Sequence, residues 1–430
     1  MTTQTRISLA PKRYGKSPVK WKWKKDGLQL QFKMSWVTLF FIFFFATRGC
    51  ATSQDFQCDP HKDDEQQLRN RLTRHLKISS DLPGSPNFCI NQNPKGPQDE
   101  LLDQLLTFYP HINELLLCDT WEPAQALTSL TQIPNTLKSL RLADTKKSIC
   151  PNGMRDLSSL ITHGGLVALR LSSIPEFNPE SIRLLSKVLY ETQSLQSLVL
   201  EFQNECGFEG ASFIAASLEN QTTLTYLHLY DCNLGNAGIC AILNALTKNQ
   251  YLRNLKIHEH ISIENDSNNF TLPSLHENTT LTHLTVHGFC CTPTSLTTLA
   301  TAFKNHRCLK SFHTSGPFYH PTQCATILGT FVSTHPSIEA FEISAYNLDV
   351  YSFVQHAKDG HLKKINWSHA QDQQHILSDL LRITSLTRLY LPHNLLQDND
   401  KSYFAKALPL CSNLATLNFS RNKFKKKKKK

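Results

Sequence analysis

The sequence lacks the motifs that carry the common kinds of enzyme and nucleotide chemistry. Neither a G-x-x-x-x-G-K-[ST] phosphate-binding loop nor a G-x-G-x-x-G dinucleotide fingerprint occurs in the 430 residues. The H-E-x-x-H, G-x-S-x-G and C-x-x-C patterns of metalloproteases, hydrolases and thioredoxin-like proteins are also absent. We therefore expect a protein that is not an enzyme and that needs no cofactor.

An uninterrupted apolar run long enough to cross a membrane is also missing. The longest charge-free apolar run, residues 36–47, has twelve residues, whereas a bilayer span needs about 18 to 20. Twelve residues is the length of the apolar part of a signal peptide, and Gly49-Cys50-Ala51 supplies small residues for cleavage after Ala51. The pattern favours a secreted protein or one anchored through residues 36–47, with a cytoplasmic protein as the alternative.

The segment before this run is basic and has no hydrophobic periodicity. Residues 1–33 contain nine Lys or Arg and one Asp, a composition that is typical of a disordered segment. Met34 directly precedes the apolar run. A start at Met34 would leave residues 34–51 as a compact leader, and residues 1–33 would then be an artefact of the gene model.

The formal net charge of +10 does not predict a nucleic-acid groove, because the positive charge lies at the two ends of the chain. Residues 1–33 contribute +8 and the poly-Lys tail, residues 423–430, contributes +7, which leaves −5 for the body. A nucleic-acid groove would need its Lys and Arg on the folded body. We therefore expect no nucleic-acid partner.

The clearest repeated unit is residues 224–248, which read LTYLHLYDCNLGNAGICAILNALTK. Leu224, Leu227 and Leu229 follow the pattern L-x-x-L-x-L, which places the last two on one face of a short strand. After a turn, apolar residues return at helical spacing and predict an amphipathic helix behind the strand. One such unit cannot bury its own apolar face, so it needs neighbours on both sides.

The same pattern recurs at twelve positions that are 24 to 29 residues apart. The motif begins at Ile112, Leu137, Leu166, Leu195, Leu224, Leu252, Leu281, Leu309, Ile338, Leu362, Leu386 and Leu414. These repeats resemble the ribonuclease-inhibitor type of leucine-rich repeat, the RNI-like superfamily, which also forms the repeat arm of NLR-type innate immune receptors and the body of Ran GTPase activators. The resemblance implies an α/β fold over residues 112–422: a right-handed horseshoe solenoid with a parallel concave sheet and convex helices.

The pattern is weaker in some units. The slot after the strand, which usually holds Asn or Cys, is kept at Cys232, Asn394 and Asn422 but not in the other repeats, so we expect irregular turns there. The eighth repeat matches the pattern least well, because Phe312 and Thr314 stand where Leu is expected.

Residues 52–111 precede the first motif and are predicted to form a helical N-terminal cap. Leu68, Leu72 and Leu76 recur at the spacing of an amphipathic helix. A loop over residues 78–97 and a second helix over residues 99–108 complete the prediction. A terminal repeat needs a polar outer surface, which this segment can provide.

Each repeat directs the third, fifth and seventh residues of its motif to the concave face, and histidine is frequent there in repeats five to eight. The ten candidate ligand-binding residues are Tyr226, His228, Tyr230, Asn254, Lys256, His258, His283, Thr285, His287 and His313. Neighbouring strands lie about 4.8 Å apart, so His258 and His287, at equivalent positions, should nearly touch.

Three interpretations of these histidines remain open: a polar lining of the sheet, a recognition surface anchored by Tyr and His, or a zinc site. Against zinc, no carboxylate lies in these rows to orient the imidazoles. Unperturbed histidine titrates near pH 6.5, and packing several together should lower some of their pKa values, because each added proton repels the next. A recognition surface should therefore change its affinity between about pH 5.5 and 7. It should also carry up to five positive charges at about pH 5.

The function expected from these features is that of a non-enzymatic protein-binding scaffold or recognition receptor, with a protein partner on the concave face. A ribonuclease inhibitor would be expected to have a strongly acidic concave face, and this one is neutral to basic. The alternatives are an intracellular NLR-like sensor fragment and a Ran GTPase activator-like regulator. The nucleotide-binding module of the former and the long acidic segment of the latter are both absent from this sequence.

Overall fold

The computed structural model describes residues 112–118, 123–132, 136–145, 147–203, 205–259, 271–289, 292–370, 376–400 and 408–424, with short pieces at 7–8, 76–78, 87–90, 402 and 405. Two compact units are distinguished, one of residues 1–9 and 75–430 and one of residues 10–74. The second unit lies outside the described residues, and so do the predicted leader and most of the predicted disordered segment and cap.

The first unit is built on a parallel sheet with one strand from each of the twelve predicted repeats. The strands, numbered by repeat, are β1 Glu114–Cys118, β2 Ser139–Ala143, β3 Ala168–Ser172, β4 Ser197–Glu201, β5 Tyr226–Tyr230, β6 Asn254–His258, β7 His283–His287, β8 Ser311–Ser315, β9 Ala340–Ser344, β10 Lys364–Ser368, β11 Arg388–Tyr390 and β12 Thr416–Asn418. Each begins two residues after the predicted motif start and pairs in parallel with the strands of the adjacent repeats. The α/β solenoid with twelve repeats is therefore confirmed.

Helices connect many of these strands and pack behind the sheet. They are α1 Pro123–Thr131, α2 Pro151–Thr162, α3 Pro179–Glu191, α4 Gly207–Leu218, α5 Gly235–Ala245, α6 Pro293–Phe303, α7 Pro321–Thr334, α8 Val350–Ala357 and α9 Ile376–Leu380. Proline begins five of them, because its fixed φ suits the first turn and its missing N–H is not needed there. Asn178, Thr292 and Asp349 cap α3, α6 and α8 by accepting a backbone N–H at 3.1 to 3.2 Å. Of the helices that the structure describes, none is both long and apolar enough for a transmembrane span.

The core lies between the sheet and the helices. In β5, Leu227 and Leu229 are buried while the residues between and beside them stay partly exposed, as the motif predicts. The eighth repeat, which matches the motif least well, keeps a full five-residue strand in register. Its Phe312 is buried and packs against Phe341 of β9 and Phe331 of α7, with ring centroids 6.2 and 5.4 Å apart. A phenylalanine therefore fills the place of leucine without disturbing the register.

A row of buried polar side chains runs along the edge at which the strands begin. Its members stand three residues before successive motif starts and are Thr192, Gln221, Asn249, Asn278, His306 and His335. Asn249 donates its amide N–H groups to the carbonyls of Leu218 and Gln221 at 2.7 and 3.0 Å. Its amide oxygen accepts the backbone N–H groups of Tyr251 and Leu252 at 3.0 and 2.8 Å. Thr192, Gln221 and Asn278 likewise donate to a backbone carbonyl of the preceding repeat. These bonds tie the repeats together, because they satisfy backbone groups that the sheet and helices leave unpaired.

A second set of buried polar contacts holds the turns at the ends of the strands. Gln203 occupies the slot that usually holds Asn or Cys, and its amide donates to the carbonyl of Leu171 at 3.3 Å. The carboxylate of Glu259 accepts the backbone N–H groups of Cys232 and Leu234 at 3.2 and 3.3 Å. Side chains other than Asn and Cys therefore also satisfy the backbone in these turns.

Two short strands extend the sheet beyond β1. Asn87–Ile90 pairs in parallel with β1, and Leu76–Ile78 pairs antiparallel with Asn87–Ile90. Leu76, predicted to lie in a helix, thus begins a strand, and the predicted loop over residues 78–97 contains one. The helical cap is wrong at these residues, because pairing with the edge of β1 satisfies backbone groups that a helix would leave open. The predicted helix over residues 99–108 lies outside the described residues.

At the other end of the sheet, Ile7–Ser8 pairs antiparallel with β12. The last repeat continues past its predicted end, because the backbone N–H of Lys423 donates to the carbonyl of Leu396 at 2.8 Å. Phe424 packs against Phe419 with ring centroids 6.0 Å apart. The first two residues of the predicted poly-Lys tail therefore belong to the last repeat, and the rest of that tail lies outside the described residues.

The row at the strand starts leads to a prediction about stability. Asn249→Ala should lower the free energy of unfolding by about 2 to 4 kcal/mol, because it leaves several buried backbone groups without partners. Asn244→Ala, at an exposed position of α5, is the control and should change it by less than about 0.5 kcal/mol. Urea denaturation of both variants measures this. A loss at Asn249 no greater than that at Asn244 would show that the row does not hold the repeats together.

Candidate functional site

The register of the sheet aligns the ten candidate residues in three rows on the face that carries no helices, which we call the concave face. The first row contains Tyr226, Asn254 and His283, the middle row His228, Lys256, Thr285 and His313, and the third row Tyr230, His258 and His287. All ten lie on the four adjacent strands β5 to β8. The structure thus brings together the residues that the sequence pattern singles out.

Four imidazole rings form an unbroken line of contacts across these strands, and we call them the histidine row: His228, His258, His287 and His313. The ring centroids of His228 and His258 lie 5.1 Å apart, and those of His258 and His287 lie 3.9 Å apart. The rings of His287 and His313 follow at 4.3 Å. The predicted near contact of His258 and His287 is confirmed.

Aromatic side chains extend the histidine row toward β4. The ring centroid of Tyr230 lies 5.3 Å from that of His258. Phe202 follows the last residue of β4 and places its ring 5.0 Å from Tyr230 in an edge-on arrangement. It is 44% exposed, so its ring is open to contact with a partner. Sequence reasoning missed Phe202 because it stands one residue beyond the positions that the motif directs to the concave face.

Carboxylates stand on the strands next to both ends of the histidine row. Glu201 of β4 accepts two hydrogen bonds from the Arg170 guanidinium, with Nε to Oε2 at 2.9 Å and Nη2 to Oε1 at 2.5 Å. Glu342 of β9 lies with Oε2 4.0 Å from Nδ1 of His313 and forms an ion pair with Lys364. The three rows contain no carboxylate on β5 to β8, but the neighbouring strands β4 and β9 each supply one. At 4.0 Å, Glu342 lies beyond hydrogen-bond distance of His313, so it acts on this ring as a nearby charge.

The contact between His287 and His313 constrains where their protons lie. Their Nε2 atoms are 3.2 Å apart, so one ring must donate and the other must accept. The Glu342 carboxylate beside Nδ1 of His313 favours a proton on that nitrogen, which leaves Nε2 of His313 to accept from His287. This arrangement requires at least the accepting ring to be neutral.

Burial keeps the histidine row neutral. It lowers the pKa of His228 to about 4 and that of His258 to about 3, and repulsion from Lys256 adds to the effect. Burial also lowers the pKa values of His287 and His313. The expectation of up to five positive charges at pH 5 is therefore wrong, because each ring removes water from its neighbours. Because these imidazoles stay neutral, they give no reason to expect a change in binding affinity between about pH 5.5 and 7.

Within the part of the chain that the structure describes, no group of three or more His, Cys, Asp or Glu side chains is arranged to hold a metal ion. Successive strands spread the imidazoles of the histidine row along a line and not around one centre. A row of neutral rings can instead offer flat faces for packing and ring nitrogens for hydrogen bonds.

No protein-family model matches the chain, and no similar curated protein was found. Among solved structures, the crystal structure of the Rad7 and Elc1 complex in yeast is similar over 84% of this chain and 94% of that chain, with 14% sequence identity and a TM-score of 0.31. A similarity of this size carries no argument about function. The twelve in-register strands, the helices behind them and the polar row at the strand starts define the chain as a leucine-rich-repeat solenoid protein.

The neutral histidine row predicts how stability depends on pH. Below about pH 6.5 the unfolded chain binds protons at these imidazoles and the folded chain does not, so the free energy of unfolding falls as the pH falls. The double variant His258→Gln, His287→Gln should therefore lose about 3 kcal/mol less than the parent protein between about pH 7.5 and 5.5. Chemical denaturation at each pH measures the difference.

Glu259 acts in the opposite direction and is common to both proteins. Burial raises the pKa of this carboxyl to about 7, so the folded chain holds a proton that the unfolded chain releases above its ordinary pKa of 4.5. The difference between the two proteins thus isolates the histidines. His356→Gln, at an exposed position of α8, is the control and should leave the pH dependence as in the parent. Equal pH dependence in the parent and the double variant would show that the row is charged or solvated.

Proposed function

We propose that the chain is a non-enzymatic protein-binding scaffold that recognises its partner on the concave face, at strands β4 to β8. The observation that carries this proposal is the unbroken line of rings from Phe202 through Tyr230 into the histidine row. Aromatic and imidazole rings bury a large area while they lose few rotatable bonds, and for this reason they serve as anchors in protein interfaces.

The absence of charge in the row supports a protein partner. A neutral imidazole costs less to remove from water than an ammonium or a carboxylate, so the row can be covered by another surface. The ion pairs of Arg170 with Glu201 and of Lys364 with Glu342 lie on either side of it. Neutral rings with charged groups beside them, here these ion pairs and Lys256, match the mixture of weakly polar and charged residues that protein–protein interfaces contain.

The repeat type supports a recognition receptor of the ribonuclease-inhibitor kind. Full helices stand between the strands, such as the fourteen residues of α7, and this feature is similar to that repeat type. The alternatives are an intracellular NLR-like sensor fragment and a Ran GTPase activator-like regulator. Stimulation of GTP hydrolysis by Ran in a purified assay would favour the regulator.

Site-specific cross-linking tests the proposed surface. A photoreactive phenylalanine analogue in place of Tyr230 should capture a partner from the native cells or fluids. The same analogue in place of Tyr190, a 59% exposed residue of α3, should not capture it. The matched pair separates contact with the concave face from general surface stickiness.

With the captured partner purified, binding of single variants completes this test. Phe202→Ala and Tyr230→Ala should each weaken binding about tenfold or more, since ring anchors near the centre of an interface contribute at least about 1.4 kcal/mol. Tyr190→Ala should weaken it less than about twofold. Capture from position 190 and unchanged binding of the two concave variants would place the interface elsewhere.

A further inference from the structure

A cavity of about 360 Å³ lies on the concave face beside the histidine row. It opens over the first residues of the strands β7 to β10, and His313 forms part of its wall. Five basic side chains and two carboxylates line it together with small and neutral residues. The proposed recognition surface is therefore continuous with a strongly basic cavity.

The cavity exists because two small side chains interrupt a row of large ones. In the first row, Ser311 of β8 and Ala340 of β9 lie between His283 of β7 and Lys364 of β10. Three strand spacings of about 4.8 Å separate the two large side chains, so the opening is about 14 Å long across the strands. Lys310 precedes β8 and stands at the edge of this gap.

The two carboxylates neutralise only two of the five basic groups. Glu339 pairs with Lys363, with Nζ to Oε1 at 2.9 Å, and Glu342 pairs with Lys364. The hydrogen bond from Lys363 lowers the pKa of Glu339. Burial opposes ionisation of Glu342, but Lys364 holds its pKa below the ordinary value. Both carboxylates are thus ionised at neutral pH.

The other three basic groups, Lys256, Lys310 and Arg388, form no ion pair with any residue that the structure describes. Lys256 instead places its ammonium 5.6 Å from the ring centroid of Tyr226. With the histidines neutral, the cavity wall carries a net charge of +3. Positive groups held together on a concave surface attract an anion, because a concave wall concentrates their field.

We infer that this cavity binds an acidic segment of the protein partner, whose oxyanions pair with the separate basic groups Lys256, Lys310 and Arg388. The inference rests on the proposed function, since it names the chemistry of the partner at the same face. An extended peptide rises about 3.3 Å per residue, so four or five residues cross the 14 Å opening. Arginine binds a carboxylate or a phosphate through two parallel hydrogen bonds, while lysine adds a point charge.

Binding of three labelled nine-residue peptides to the full chain tests this inference by fluorescence anisotropy. The peptides are alike except that their centres carry four Glu, four Gln, or two phosphoserines between neutral residues. At least one acidic peptide should bind about tenfold or more tightly than the Gln peptide. Tighter binding of the Glu peptide identifies a carboxylate as the ligand, and tighter binding of the phosphoserine peptide identifies a phosphate.

Two double variants separate the cavity from the overall charge. Lys310→Gln with Arg388→Gln should weaken the acidic peptide about tenfold or more. Lys187→Gln with Lys304→Gln removes the same two charges from exposed positions on α3 and after α6, and it should have less than about a twofold effect. Circular dichroism of both variants checks that they are folded.

Several results would overturn the inference. These are equal binding of the Gln peptide, equal losses in the two double variants, or no binding of either acidic peptide at about 1 mM. Tighter binding of a single-stranded oligonucleotide than of either acidic peptide would assign the cavity to nucleic acid instead. Cross-linking at position 230 and peptide binding are independent experiments. If no partner is captured from position 230 but an acidic peptide binds in the cavity, only the proposed function is contradicted. If a partner is captured but neither acidic peptide binds, only the inference of an acidic ligand is contradicted.

Discussion

Parallel pairing of equivalent strands is the constraint on which the rest of this molecule depends. Because each strand pairs with the same residues of the next repeat, a side chain has as its neighbours the residues at its own motif position. Similar residues at one motif position of successive repeats therefore form a row of side chains across the sheet. The buried amide of Asn249 can reach the backbone of the preceding repeat for this reason, and His258 can touch His287. A slip of one residue would turn the histidine row toward the helices and bury its polar atoms in the core.

The strands were predictable because leucine spacing reports directly on the face that must be buried. The polar row at the strand starts was not, because the repeat pattern does not include that position. The recurrence of Gln221, Asn249 and Asn278 at steps of 28 and 29 residues was the signal that could have revealed it. Periodicity predicts a helix at Leu76, but it carries no information about pairing at the edge of a sheet.

The site was only partly predictable, because the sequence does not report how far water is excluded from a side chain or which residues beside the strands reach the site. Sequence spacing placed the ten candidate residues together, but the charge state of histidine depends on how much water its neighbours exclude, which spacing does not report. Phe202 and Lys310 lie just outside the strand positions of their repeats, so the repeat motif does not point to them. The concave face therefore combines the neutral histidine row with the basic cavity beside it. His313 belongs to the row and lines the cavity, and Glu342 lines the cavity and lies beside His313.

The histidine row is neutral and half-buried, with a hydrogen bond between His287 and His313, and ring nitrogen NMR tests this claim most directly. The full chain would be labelled with ¹⁵N-histidine, assigned through single His→Gln variants and recorded at about pH 5, more than one unit below the ordinary histidine pKa. The account predicts neutral rings at His258 and His287, with the proton of His287 on Nε2 and that of His313 on Nδ1. Spectra of cationic rings that titrate with midpoints near 6.5 would contradict it.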